Sequence, residues 1–396
     1  MDFSIIDFAP NNKKELKRFV NFALKLYIGD NNYVPPLKSE LLGNKLFGIK
    51  GLLTKDHPFH EHTKIHYFMA QSDNKVVGRL AVCINYNYNE YHNVKVGSFG
   101  FFEVIENYDV AKQLLDEGIK WIKNQGMTQV LGPLNFSQDQ TLGILIEGFE
   151  FFPYINTVYN KKYYSNFLEK YGFSKAKDLI AQLMPVKITD ETTKKRHERL
   201  NKVIERLKRE KGITVRQINM KNNSEFIEDV KLSAKIYNEA WANNWGILPV
   251  TEEDAIHAAN ELKLIADPGL FNFAYVKGKP AAMIISLPDV NEMSWPGNNF
   301  FTRLDFVRLI KIFLKRKKIK RVRLWALGIL NEYKKMGLDA VLYHESFNNA
   351  HKRNYEECEL SWILEDNVLV LRAGESMGAK TYKKWRLYEM PLENNK

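Results

Sequence analysis

Leu327-Gly-Ile-Leu-Asn-Glu-Tyr-Lys-Lys-Met-Gly-Leu-Asp-Ala-Val-Leu342 is the stretch that decides how this chain is read. Before and into it, Val322, Leu324, Trp325, Leu327 and Ile329 make an apolar, β-rich run; after it, Met336, Leu338, Val341 and Leu342 recur at helical spacing. Between the two lies a short polar turn carrying Lys334 and Lys335, closed by Gly337. A strand that feeds a helix through such a turn aims free backbone N–H groups at one spot, and the helix dipole and the lysines make that spot attractive to an anion. Further on, Glu359-Leu-Ser-Trp-Ile-Leu-Glu-Asp-Asn367 reads as a strand ending in helix-capping residues. A short helix at Met377-Gly378-Ala379 and a last strand through Trp385, Leu387 and Tyr388 complete the stretch.

Upstream, the pattern predicts a strand over Ser4 to Phe8 and a helix whose apolar face is Leu16, Phe19, Val20, Ala23, Leu24 and Tyr27. A helix near Lys38 to Phe47 follows, then a hairpin of Ile65 to Gln71 and Val76 to Asn85. Val94 to Ile105 reads as a strand, Val110 to Gln125 as a helix and Thr128 to Leu131 as a strand. A helix ends on Gly172, and a strand passes through Ala181 to Met184. Residues 189–211 are charged and poor in strand formers, which predicts a linking helix. The pattern then restarts: a strand at Thr214 to Met220, a helix at Phe226 to Trp241, a helix opened by Thr251-Glu-Glu-Asp254, and a hairpin around Lys277-Gly278. First strands Ser4 and Thr214 lie 210 apart, hairpin turns Asn74 and Gly278 lie 204 apart, and helix-closing Gly172 and Gly378 lie 206 apart. A period this long indicates a duplicated domain rather than a solenoid.

The strand, loop, helix, strand, Asn-opened helix and strand of residues 321–390 resemble the core of the GNAT superfamily of acyl-CoA-dependent N-acyltransferases. In that family an Arg/Gln-x-x-Gly-x-Gly/Ala loop cradles the CoA pyrophosphate. By this resemblance Lys334 takes the place of the Arg/Gln, Gly337 of the first glycine, Asn367 of the helix-opening Asn and Gly378 of a later glycine. The resemblance implies acyl-CoA as co-substrate, held by Leu327, Gly328, Ile329, Lys334, Lys335, Gly337 and Asn367. Backbone N–H groups near Ala326 to Ile329 would stabilise the oxyanion. Two departures stand out: Asp339 occupies the second Gly/Ala position, and Gly374 stands where many members carry the tyrosine that protonates the CoA thiolate.

Taken over the whole chain, the expected fold class is α/β, two GNAT-like domains in tandem, each a mixed sheet flanked by helices. The expected boundaries are 1–188 for an N-terminal domain without CoA, 189–212 for the linking helix and 213–396 for the C-terminal domain that binds acyl-CoA. The first repeat lacks the loop, having Ile105-Glu-Asn-Tyr-Asp-Val-Ala in its place. Val34-Pro-Pro-Leu37, Gly100-Phe-Phe-Glu103, Gly132-Pro133 with Ser137, Glu147-Gly-Phe149 and Tyr163-Tyr164 resemble bacterial GNAT-type proteins that include ceramide synthases. That second resemblance implies a long acyl chain and a lipid, sphingoid-type amine. Two other readings fit a doubled GNAT fold: a Fem-like aminoacyl transferase using charged tRNA, and a non-catalytic acyl-CoA-binding protein.

Glu359 and Ser361 alternate with apolar neighbours and therefore share one face of their strand. In the GNAT layout that places Glu359 where a carboxylate takes the ammonium proton, directly or through water. Glu147, set among Gly and aromatic residues, is a second candidate carboxylate, in a cleft or on a solvent-facing loop. His57, His60, His62 and His66 match no zinc spacing, so no metal is expected. Cys83 and Cys358 are the only cysteines in 396 residues, which suits a reducing compartment. With neither a leader-like start nor a long apolar run, the expectation is a cytoplasmic protein. The net charge of +11 favours anionic partners. Phe300 to Arg323 holds ten basic residues and one acid, Asp305. As a helix it has an apolar stripe of Phe306, Val307, Leu309, Ile310, Phe313 and Leu314 opposite Arg308, Lys311 and Lys315. Such a helix lies on an anionic inner-membrane surface or packs with its basic face in water. Aromatic residues do not alternate with the basic ones, which argues against nucleic acid. Nothing in the pattern fixes an oligomeric state.

Overall fold

The structure is a computed structural model that describes residues 1–45, 48–136, 140–188, 190–294 and 304–392. Leu46, Phe47, Ser137 and Phe300 to Arg303, each part of an expectation above, lie outside the described residues. The first pass of the chain runs β1 (Ser4–Phe8), α1 (Lys13–Leu26), α2 (Lys38–Leu42), β2 (Thr63–Ser72), β3 (Lys75–Asn85) and α3 (Tyr86–His92). It continues through β4 (Val96–Val104), α4 (Tyr108–Asn124), β5 (Gln129–Gly132), β6 (Ile144–Glu147), α5 (Tyr164–Tyr171) and β7 (Ser174–Pro185). After α6 (Glu191–Lys211) the second pass opens with β8 (Ile213–Gln217), α7 (Asn223–Trp241), α8 (Glu252–Leu262), β9 (Phe271–Val276), β10 (Lys279–Pro288) and α9 (Asn291–Ser294). α10 (Asp305–Lys315), β11 (Arg321–Ile329), α11 (Leu338–Lys352), β12 (Glu357–Leu364), α12 (Val368–Ser376) and β13 (Lys380–Pro391) complete it.

Two compact units emerge: residues 1–179, 294–311 and 383–396 in the first, 180–293 and 312–382 in the second. In the first unit the strand order is β1-β2-β3-β4-β5-β13, with β6 also pairing β13. In the second it is β12-β11-β10-β9-β8. Each unit is a mixed sheet: β1–β2, β2–β3 and β3–β4 are antiparallel and β4–β5 parallel. Likewise β8–β9, β9–β10 and β10–β11 are antiparallel and β11–β12 parallel. Both hairpins turn on two residues at positive φ, Asp73 and Asn74 at 47° and 61°, Lys277 and Gly278 at 49° and 78°. That is the turn whose twist matches the flanking strands.

Strand alternation divides each core into two layers. In the first unit Phe68, Leu80, Val82 and Ile84 pack with α4 residues Val110, Leu114 and Ile122, whereas Tyr67, Met69, Ala81 and Cys83 pack with Leu16, Phe19 and Val20 of α1. In the second, Ala274, Val276 and Ile284 meet Leu338, Val341 and Leu342 of α11, while Phe273 and Met283 meet Phe226 and Val230 of α7. Full burial of each such Leu, Ile or Phe contributes about 1.5–3 kcal/mol, so amphipathic faces rather than helix propensity hold the layers.

Candidate functional site

In the second unit β11 has two neighbours at its start and one at its end. Its parallel pairing with β12 runs from Arg321↔Glu357 to Leu324↔Leu360 and stops, while its antiparallel pairing with β10 continues to Ile329. Beyond Leu324, then, β11 and β12 part as the prongs of a fork. A register shift in the β10–β11 ladder leaves Trp325 unpaired between Leu324 and Ala326, a bulge at the point where the prongs separate. Gly328 is buried because α7 packs against it: a Cβ there would lie 3.0 Å from Ile236 and 3.3 Å from Ala240. Leu327 and Ile329 send half-buried side chains into the α11 layer.

The turn after β11 leads to the N-terminus of α11. Gly337 is its N-cap at φ +78° and supplies no side chain to the first-turn N–H groups. An added Cβ would approach Leu207 Cδ2 to 2.9 Å, so both the backbone and the space favour glycine. Lys334 and Lys335 are exposed beside this uncapped end, and Asp339 is exposed in the first turn. Asn367 is the N-cap residue of α12, half-buried, with its side chain not engaged in capping. These groups fit a polyphosphate: free N–H donors, the positive end of a dipole and two cations.

The floor of the fork is a buried polar cluster. Arg323 and Glu359 are register partners, and Arg323 Nε lies 3.8 Å from Glu359 Oε1. Ser361 bridges them, accepting from Arg323 Nε at 2.8 Å and donating to Glu359 Oε1 at 2.5 Å. Tyr382 OH donates to Glu359 Oε2. The guanidinium also sits 4.7 Å from the Trp362 ring centroid, a cation–π contact. Burial pushes the Arg323 pKa below its ordinary value, and the Glu359 carboxylate opposes that shift. A buried charge persists only when paired and hydrogen-bonded, and here each ion has the other. Glu359 and Ser361 thus come together as their shared strand face requires, buried rather than solvent-facing. Tyr382 is the one hydrogen-bond partner of Glu359 that is half-exposed, and Trp362 beside Arg323 is half-exposed too.

Arg323 and Tyr382 were not singled out from sequence. An arginine flanked by Val322 and Leu324 in a buried strand does signal a hidden partner. Tyr382 carries no local signal, because only the fold brings the start of β13 to Glu359. Gly374 also gains a reason: a Cβ there would lie 2.0 Å from the buried Gln182 Oε1, so a larger side chain at this position requires that amide to move.

The equivalent fork of the first unit is filled. β4 and β5 pair from Val96↔Gln129 to Ser98↔Leu131, and the chain then returns across the opening. Leu134 N donates to Phe99 O at 2.7 Å, and Asn135 Oδ1 accepts from Phe101 N at 2.7 Å. Gly100 permits this closure, since a Cβ would fall 1.8 Å from Leu134 O. At the helix that follows, Asn107 caps α4 by accepting from the N–H groups of Asp109 and Val110.

Glu147 ends β6 in the first unit, is 59% exposed and pairs with Lys384 at 2.5 Å. Of the histidines, His60 bonds Leu52 O, His66 pairs with Asp7 and stacks on Trp121, and His57 accepts from Phe59 N. Among the described residues no cluster of three or more His, Cys, Asp or Glu forms that could hold a metal, and no helix is long and apolar enough to cross a membrane.

No profile of a known protein family matches the chain. Solved structures do share its architecture. A tandem GNAT protein from the clavulanic acid biosynthesis pathway superposes over 100% of both chains with a TM-score of 0.56 at 9% identity. A GCN5-related N-acetyltransferase from Sphaerobacter thermophilus covers 98% of this chain and 96% of its own, with a TM-score of 0.52 at 13% identity. The fold is therefore the tandem GNAT fold. In sequence the chain is similar to Protein YghO of Escherichia coli, 29% identical over 385 residues, 96% of this chain and 94% of the relative. It is also similar to the bacterial ceramide synthase of Caulobacter vibrioides, 28% identical over 396 residues, 99% of this chain and 98% of that one.

Proposed function

We propose that the protein is an N-acyltransferase that moves an acyl group from acyl-CoA to an amine at the fork of the second unit. The observation that carries this reading is the parting of β11 from β12 beyond Leu324 and Leu360, with the uncapped α11 N-terminus at the end of the same loop. CoA phosphates would be held by the α11 N–H groups, Lys334, Lys335 and Gly337, with Asn367 at the next helix start. The thioester carbonyl would take hydrogen bonds from β11 N–H groups between Ala326 and Ile329 as negative charge develops on its oxygen. Amine nitrogen forms the new C–N bond, the C–S bond breaks, the nitrogen loses a proton and the thiolate gains one. Glu359 serves as general base. Because it is buried, its proton arrives through Tyr382, which accepts from the amine while donating to Glu359; the same hydroxyl then returns a proton to sulfur. Ser361 holds the carboxylate in place, and Glu147 is the alternative base.

Similarity over nearly the full length to a bacterial ceramide synthase supports a lipid, sphingoid-type amine as acceptor. A lipid acceptor in turn goes with a peripheral position at the inner membrane surface. The filled fork and Asn107-capped helix support a first unit without CoA, and the division at 1–188, 189–212 and 213–396 remains part of this proposal. The test is to incubate the full chain with short- and long-chain acyl-CoA and a long-chain amine. Free thiol and amide are then measured by mass spectrometry. Thiol and amide should appear together without tRNA. Product only with charged tRNA would establish the aminoacyl-transferase reading instead, and acyl-CoA binding with no thiol release would establish a non-catalytic binding protein.

A further inference from the structure

α10 is amphipathic in the inverted sense. Asp305 and Arg308 face the protein beside Ile312: Arg308 and Ile312 are buried, and the guanidinium donates to Pro35 O at 2.7 Å, Pro36 O at 3.3 Å and Ser294 O at 3.0 Å. One turn earlier Asp305 accepts from the N–H groups of Lys38 and Ser39 at 3.1 and 2.7 Å, so its carboxylate caps the start of α2. These bonds fix the rotation of α10 about its axis. The opposite face carries the large apolar side chains, Phe306 at 59%, Ile310 at 54%, Phe313 at 67% and Leu314 at 72% exposure, with Leu309 at the edge. A helix that merely packs on a core shows water the other face. Directly after the apolar face come Lys315, Arg316, Lys317 and Lys318, all exposed, with Arg316 held 5.2 Å over the Phe313 ring.

We propose that the outward face of α10, Phe306, Leu309, Ile310, Phe313 and Leu314 with the Lys315–Lys318 cluster at its end, inserts into the interfacial layer of an anionic phospholipid membrane. The pairing of chemistries chooses the occupant. Exposed apolar side chains in one contiguous stripe mark an interaction surface, and four adjacent cations add attraction to anionic headgroups that a protein groove does not require. The stripe lies along an 11-residue helix, too short to span a bilayer and suited to lying in its surface plane. Asp305 and Arg308 anchor the helix from the far side and would keep the stripe facing the lipid. The inference rests on the lipid-acceptor reading for its purpose, and its test needs no acyl transfer.

The experiment is flotation of the full chain with vesicles of phosphatidylcholine alone or with phosphatidylglycerol added. Binding should favour the anionic vesicles and weaken in ~1 M salt, where screening shortens the Debye length to ~3 Å. Phe306→Ser/Phe313→Ser/Leu314→Ser and, separately, Lys315→Ser/Arg316→Ser/Lys317→Ser/Lys318→Ser should each lower binding by roughly tenfold or more. Circular dichroism verifies that the variants fold. Both native cysteines are buried, so Leu314→Cys can be labelled selectively with an environment-sensitive dye, whose emission should shift blue on adding vesicles. Unchanged flotation in the apolar variant, or no blue shift, overturns the proposal. So does a wild-type dimer that the apolar substitutions make monomeric while no vesicle binds, which would assign the face to a second copy of the chain. Flotation with no acyl transfer leaves the membrane surface standing and removes the acyltransferase reading.

Discussion

Arg323 and Glu359 face each other across the penultimate rung on which β11 and β12 still pair, their side chains 3.8 Å apart and both shielded from water. Removing one member of such a pair strands the other charge, at a cost of about 3–5 kcal/mol. Glu359→Gln should therefore lower the melting temperature as well as the rate, and alone it does not separate chemistry from stability. Tyr382→Phe does, because both ions remain. Its stability loss should be about 1.5–3 kcal/mol, the worth of one hydrogen bond to a charged group, CoA affinity should hold, and single-turnover thiol release should slow by ~10² to 10⁴. The deficit should shrink as pH rises, since more of the amine is then already neutral. A Phe variant at full rate would take Tyr382 out of the proton path.

Phosphate binding is expected at one turn only. Lys334→Glu/Lys335→Glu should weaken CoA in calorimetry by roughly tenfold or more, since each reversal replaces attraction at a helix N-terminus with repulsion. Asp109→Ala and Lys112→Glu, at the corresponding turn of the first unit, should leave one site per chain with unchanged affinity. Asn107 already occupies the N–H groups there. Equal losses from both sets would place CoA in the first unit as well.

The fold was largely readable because both passes keep strong local signals. Unbroken apolar runs in Tyr67–Ala70 and Val82–Ile84 mark strands with two packed faces, and helical spacing in α1, α4 and α11 marks the covering layers. Two-residue turns at Asp73-Asn74 and Lys277-Gly278 announced both hairpins. The short β6 and the helix α3 escaped notice, being too brief to establish a period. At the site, the turn from Lys334 to Gly337 and the shared face of Glu359 and Ser361 were visible, since both depend on neighbours in sequence. The ion pair was not: Arg323 meets Glu359 only through parallel strand pairing, and Tyr382 only through the course of β13. The rotation of α10 was also hidden, because helical spacing defines its two faces without saying which one meets the protein.

Acid should destabilise the protein earlier than its carboxylates alone require. His344 is held below its ordinary pKa first by burial and then by His197, and His60 is lowered by burial. Well above about pH 6.5 both are neutral folded or unfolded and cost nothing. As pH falls below that value the unfolded chain binds protons that the folded chain refuses, so stability drops until the depressed folded pKa values are passed. Melting temperature measured between pH 8 and pH 5 should fall, and His344→Gln should reduce the slope. Superimposable profiles for wild type and variant would show that His344 does not contribute.

Asp339 offers the sharpest test of what the fork holds. It stands in the first turn of α11, exposed, where a carboxylate favours the helix dipole but repels an incoming phosphate. Without ligand, Asp339→Asn should cost a little stability, because the dipole loses a compensating charge. With ligand the sign reverses. CoA affinity should rise roughly two- to fivefold, the equivalent of about 0.3–1 kcal/mol for one exposed charge at a helix end. The gain should fade with added salt as the repulsion is screened. Dephospho-CoA and pantetheine make the comparison specific: if the pyrophosphate sits at this turn, the gain survives loss of the ribose phosphate and disappears with pantetheine. A variant that binds CoA no better, or gains equally for pantetheine, would move the phosphate site away from the α11 N-terminus while leaving the fork open to another ligand.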